Sequence, residues 1–154
     1  MGRLRKFISS DRAFKFMLLE AFFYLGWARI LKAIPFAKVA PSLGKAMRET
    51  SYTTAREDEE LIHTIARSIR IMSRYTLWES KCLVMAIACM KMLEKRRVES
   101  TLYLGTMKNG SGKLSAHAWL RTGPYYVTGA EIMERYTVVG IFGKSLADKK
   151  VRGE

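Results

Sequence analysis

The chain has 154 residues, of which 27 are Lys or Arg and 14 are Asp or Glu, for a formal charge of +13. That length suits one domain, residues 1–154, able to bury roughly two thirds of its unfolded surface, and a hydrophobic share of 49% excludes a disordered chain. The positive excess suits acidic partners such as nucleic acid, anionic lipid or an acidic peptide, although solubility plus a basic tail explains it equally well.

Arg3, Arg5 and Lys6 precede an apolar stretch, as in a secretory signal. Asp11, Arg12, Lys15 and Glu20 interrupt that stretch and no small-residue cleavage site follows, so the segment reads as retained and the protein as cytoplasmic. The longest uncharged run there, Ala21 to Ala28, is far short of the about 20 residues a membrane span needs; contact with a membrane surface remains an expectation. The spacing predicts a first helix from Asp11 to Ala33, capped by Ser9, Ser10 or Asp11 and ended by Pro35. Phe14, Met17, Leu18, Ala21, Phe22 and Leu25 follow helical spacing, while Phe16, Phe23, Tyr24 and Trp27 make the other faces apolar. Such a helix is expected in the core, or docked on a partner or lipid.

A loop marked by Pro35, Pro41, Ser42 and Gly44 leads to a second helix expected near Thr54, where Thr54 and Glu57 have capping-box spacing. Leu61, Ile65, Ile69 and Met72 form its inward stripe; His63 beside them is given no role. A third helix is expected from Thr76, with Thr76 and Glu79 as a second capping box and Cys82, Met85, Ala86, Cys89 and Leu93 on one face. The pattern then changes to strands over Thr101 to Met107, Leu114 to Arg121, Tyr125 to Thr128 and Tyr136 to Phe142, with a basic tail from Lys144. Alternation along the second strand puts Leu114, Ala116, Ala118 and Leu120 on one face and Ser115, His117, Trp119 and Arg121 on the other. Helices first and strands after predict an α+β fold: a helical part, 1–75, then a core, 76–143, built on an antiparallel sheet.

Cys82 and Cys89 are the only cysteines. Seven residues of helix separate their backbones by about 10.5 Å, beyond disulfide reach, which fits a reducing compartment. That spacing, with only two His in the chain, does not suggest a closed metal site, and no cofactor is expected. Cys82 falls early in its helix, where unpaired N–H groups favour a thiolate, and more so if the helix starts nearer Ser80. A helix-borne Cys82 facing a strand-borne His117 is a workable thiolate–imidazolium pair, although by residue type alone a structural thiol is the commoner explanation.

The segments Trp78-Glu79-Ser80-Lys81-Cys82-Leu83-Val84-Met85-Ala86, Leu102-Tyr103-Leu104-Gly105-Thr106 and His117-Ala118-Trp119-Leu120 resemble the transglutaminase-like cysteine peptidases of lasso-peptide biosynthesis. The likeness is to the stand-alone leader peptidases of split gene clusters and covers the whole chain. It implies a transglutaminase- or papain-like fold, with the catalytic Cys on a central helix against the sheet that carries the His. It also implies removal of the leader from a ribosomally made precursor peptide. The implied partners are that precursor, a small leader-recognition protein and an ATP-dependent cyclase; no nucleic acid is expected. Cys82 and His117 take the family's nucleophile and base positions. The strand after His117 lacks the carboxylate that often completes the triad, so Glu131 is the candidate third member, with Thr128 or a backbone carbonyl as alternatives. Oxyanion donors are expected from the backbone N–H of Cys82 and from a second backbone group or the Trp78 indole. Two rival readings are a non-enzymatic basic nucleic-acid-binding protein and a Cys/His acyl transferase that transfers to amines. No helix-turn-helix, zinc or RNP-like signature supports the first, whereas product mass separates the second from a peptidase.

Overall fold

The computed structural model describes residues 11–78 and 80–146. Of three long helices, α1 (Asp11–Ala33), α2 (Glu59–Met72) and α3 (Cys82–Lys95), the last two lie against a five-stranded sheet and α1 packs on them. The strands are β1 (Lys45–Ala46), β2 (Ser100–Lys108), β3 (Leu114–Thr122), β4 (Tyr125–Thr128) and β5 (Thr137–Lys144), in the order β1-β5-β2-β3-β4. Every pairing is antiparallel, so the architecture is the expected α+β one.

α1 has the expected bounds; the caps expected at Ser9, Ser10 and the Asp11 side chain lie outside what the structure describes. Its inner side buries Ala21, Leu25 and Ala28 against α2 and α3. A bidentate ion pair ties it to the far end of α3: Arg96 Nη1 and Nη2 donate to the Glu20 carboxylate at 2.8 and 2.7 Å. That pairing holds the Glu20 carboxyl below its ordinary pKa, against the opposing effect of burial.

Both later helices start downstream of the expected capping boxes. α2 begins at Glu59 after a 3-10 turn, Arg56–Asp58, with no side-chain cap. Thr54 instead lies under the β3–β4 turn, so close that a β-carbon on Gly123 would sit 2.8 Å from its Cβ. Thr76 is likewise consumed by the turn before α3: its hydroxyl is 2.8 Å from Ser80 Oγ and donates toward the Trp78 carbonyl at 3.1 Å. Its expected partner Glu79 lies outside the described residues. In a turn, Thr and Ser hydroxyls compete for backbone groups as readily as they cap helices, so spacing alone misplaces the start.

The sheet has two covered faces. Leu102, Ala118, Leu120 and Phe142 join the apolar cluster with Ile62, Ile65, Ile69, Ala86, Ile87 and Leu93, on the helix side. Tyr103, Trp119 and Arg121 lie on the other face, as strand alternation requires. There the fully buried Arg121 guanidinium donates to the carbonyls of Thr50, Ser51 and Gly123 and, through Nε, to the Tyr103 hydroxyl, and it lies 3.7 Å from the centre of the Tyr52 ring. The Tyr103 hydroxyl donates in turn to Glu49 at 2.8 Å, so this network straps the segment 49–52 onto the sheet. The strand pattern did not mark Arg121 as buried, because alternation gives the face and not what covers it. The short β1, which pairs with β5, was not foreseen either, since two residues carry no period. Of the expected basic tail, Lys144 belongs to β5, and residues 147–154 lie outside the described chain.

Candidate active site

Cys82 is the first residue of α3. Lys81 before it is extended, at φ −86° and ψ −170°, and its carbonyl accepts the first helical bond from the Met85 N–H at 2.9 Å. The N-cap residue Lys81 makes no side-chain capping bond to this helix start. Partial positive charge at such an end stabilises a nearby anion, and the field is strongest within the first turn. The helix thus starts at Cys82, two residues past Ser80. Cys82 is half-buried and packs against the core cluster, whereas Cys89, two turns on, is fully buried. Burial pushes the Cys89 thiol up to about 12, which leaves it protonated and inert. Both cysteines are free.

His117 lies in the first half of β3, paired across to Gly105. Its Nε2 is 2.7 Å from the Gly129 carbonyl oxygen. Because a carbonyl only accepts, this contact places the proton on Nε2 and leaves Nδ1 as the basic nitrogen of the neutral ring. The ring also stacks on Trp119, with centroids 5.8 Å apart, and leans on Tyr136 at 5.1 Å. Two glycines make room. Gly129 has φ +71°, and a β-carbon there would meet the Ala118 carbonyl at 2.5 Å and His117 Nε2 at 3.1 Å. At Gly105 a β-carbon would collide at 2.8 Å with the Trp119 ring and with Tyr136 Cβ.

The carbonyl of Gly129 is the group hydrogen-bonded to the His117 ring. Glu131 itself is exposed on the 3-10 helix Ala130–Arg135, and no hydrogen bond joins it to His117. The Thr128 hydroxyl is buried with no hydrogen-bond partner, so it does not hold the ring either. Of the three alternatives, the backbone carbonyl is the one the fold supplies. It was difficult to single out from sequence because a carbonyl has no residue-type signature; the nearest hint is the glycine itself.

The structure does not bring Cys82 and His117 into hydrogen-bond contact. Cys82 packs with the cluster on the helix side, while His117 shares the opposite face with Trp119, as alternation with Ala118 requires. β4 pairs with β3 only from Leu120 to Thr122, so no β4 residue pairs with His117. Trp78, one turn before Cys82, rests on Phe22 at 5.0 Å, and its indole nitrogen is buried with no acceptor. His63, left without a role, is exposed on α2 with its ring edge-on to Tyr125 at 4.8 Å. Among the described residues, no group of three or more His, Cys, Asp or Glu could hold a metal ion.

The residue pattern of the transglutaminase-like superfamily matches residues 27–140, which include Cys82, His117 and Gly129. The chain belongs to the transglutaminase-like superfamily. Members of this superfamily are usually cysteine peptidases or transferases, which places acyl-transfer chemistry within the range of the fold. No curated protein and no solved structure matches the chain closely enough to narrow the transglutaminase-like assignment further.

Proposed function

We propose that the protein is a cysteine peptidase that removes the leader from a ribosomally made lasso-peptide precursor. It would act with a separate leader-recognition protein and a cyclase. The observation that carries the reading is the position of Cys82 at the first residue of α3, in a chain of the transglutaminase-like superfamily. Support also comes from the Gly129 carbonyl on His117 Nε2, which selects the tautomer with Nδ1 free of the proton.

In the proposed reaction, Cys82 Sγ attacks the scissile carbonyl as thiolate. The carbonyl carbon–nitrogen bond breaks, and His117 gives a proton to the leaving amine of the core peptide. The leader remains as a thioester on Cys82. Water then attacks, His117 takes its proton, and the leader leaves with a free carboxylate. The backbone N–H of Cys82 lies at the helix start, where it can donate to the developing oxyanion.

The proposal requires Cys82 and His117 to approach each other when substrate or partner binds, since no hydrogen bond joins them in the free chain. Catalytic contacts that are long in a free enzyme commonly tighten only in the complex. The test is incubation of precursor, recognition protein and this chain, read by mass spectrometry. Hydrolysis yields leader and core with the mass of one water added, whereas transfer to an added amine yields the amine adduct. Cys82→Ala and His117→Ala are each expected to lower leader release by about 10³-fold or more. Leader release at the wild-type rate by Cys82→Ala would end the proposal.

A further inference from the structure

We propose that the outward face of α1 is a docking surface for an anionic lipid bilayer. Phe16, Leu19, Phe23, Trp27 and Ile30 recur at intervals of three and four residues, with Ile34 just past the helix end. They are 70%, 51%, 65%, 38%, 64% and 38% exposed. The opposite side of the same helix buries Ala21, Leu25 and Ala28, so α1 is apolar on two sides and only one of them is covered. The outer stripe runs for about 20 Å along the helix. A shallow groove of about 530 Å³, lined by Phe22, Phe23, Gly26, Trp27, Ile30 and Trp78, opens beside it. Exposed apolar surface of this extent marks a contact site.

Charge decides the occupant. Arg12 and Lys38 are exposed along or just beyond α1, and Arg29 lines the groove. Glu20 is the one acidic residue between Arg12 and Lys38, and its carboxylate is engaged by Arg96 and Lys95. A second copy of the chain seated on the same face would set these cations against their own kind. A bilayer of anionic lipid takes up both features: the aromatic and aliphatic stripe enters the acyl boundary, and the cations meet the headgroups. No helix among the described residues is long and apolar enough to cross a membrane, so α1 lies in the plane of the surface. The proposal is independent of the peptidase reading.

The experiment is co-sedimentation of the full chain with vesicles, either phosphatidylcholine alone or phosphatidylcholine with phosphatidylglycerol. Binding is expected to the anionic vesicles, to be weaker on neutral ones, and to drop by at least about tenfold in the double variant Phe23→Ser/Ile30→Ser. Circular dichroism and the melting temperature are expected to stay as in wild type, because both side chains point outward. Should the double variant misfold, Phe16→Ser near the start of α1 serves in its place, with a smaller loss expected. Three results would overturn the proposal. One is failure to bind anionic vesicles, and another is binding that the substitutions leave unchanged, which is adsorption by charge alone. The third is a stable homodimer in light scattering that the same substitutions dissolve.

Discussion

Replacing Gly129 by alanine puts a methyl group where the Ala118 carbonyl and His117 Nε2 already stand, at a backbone angle that L-residues disfavour. The expected cost is about 1–3 kcal/mol of stability, by denaturant titration. Leader release is expected to fall further than that loss of folded protein explains, because the tether on His117 shifts. Glu131→Ala, by contrast, is expected to leave release within about threefold of wild type, since an exposed carboxylate with no bond to the ring has nothing to orient. A large loss in Glu131→Ala beside a mild Gly129→Ala would return the third position to the carboxylate. The two thiols part in the same way. A colorimetric thiol reagent applied to the native chain is expected to find one fast-reacting group, absent in Cys82→Ala. Cys89 is expected to react only on unfolding, because burial keeps it protonated up to about pH 12.

At the scale of elements, the tie between α1 and α3 has a definite pH signature. The paired Glu20 carboxyl has a folded-state pKa below the ordinary value of 4.5. Its contribution is therefore complete above the unfolded value and disappears as pH falls through the lowered one. Glu20→Gln is expected to cost about 1–2 kcal/mol at neutral pH and almost nothing in strong acid, when melts of the two proteins are compared across pH. A gap that stayed constant into strong acid would mean that the carboxylate charge is not what holds α1. The elements also divide by how openly the sequence declares them. α1 and β4 have the bounds that Pro35 and the Thr122-Gly123-Pro124 turn announce, because backbone restrictions act locally and hold in any surroundings. The starts of α2 and α3 do not follow Thr54 and Thr76, because tertiary packing took those hydroxyl residues for a hairpin turn and a Ser80 contact. For α3 that displacement matters chemically: it moves Cys82 to the first position of the helix.

For the molecule as a whole, the α+β order was legible because helical and strand periods occupy separate halves of the chain. Alternation along β3 was equally plain, and it sets Ala118 and Leu120 on the helix side with His117 and Arg121 on the other. What one period cannot convey is which loops cover the second face. The strap of residues 49–52 over Arg121 and the approach of Gly129 to His117 are contacts between distant segments, carried mainly by backbone carbonyls. The same limit explains the site. The family resemblance nominated Cys82 and His117, while the absence of a hydrogen bond between them emerged only in three dimensions.

The most direct check is to quench the reaction of precursor and recognition protein in acid within the first turnover and weigh the intact chain. The account predicts the leader attached to Cys82 as a thioester, no such species in Cys82→Ala, and slow acylation in His117→Ala. An adduct carried by Cys89, or acylation of Cys82 at an unchanged rate without the imidazole, would contradict it.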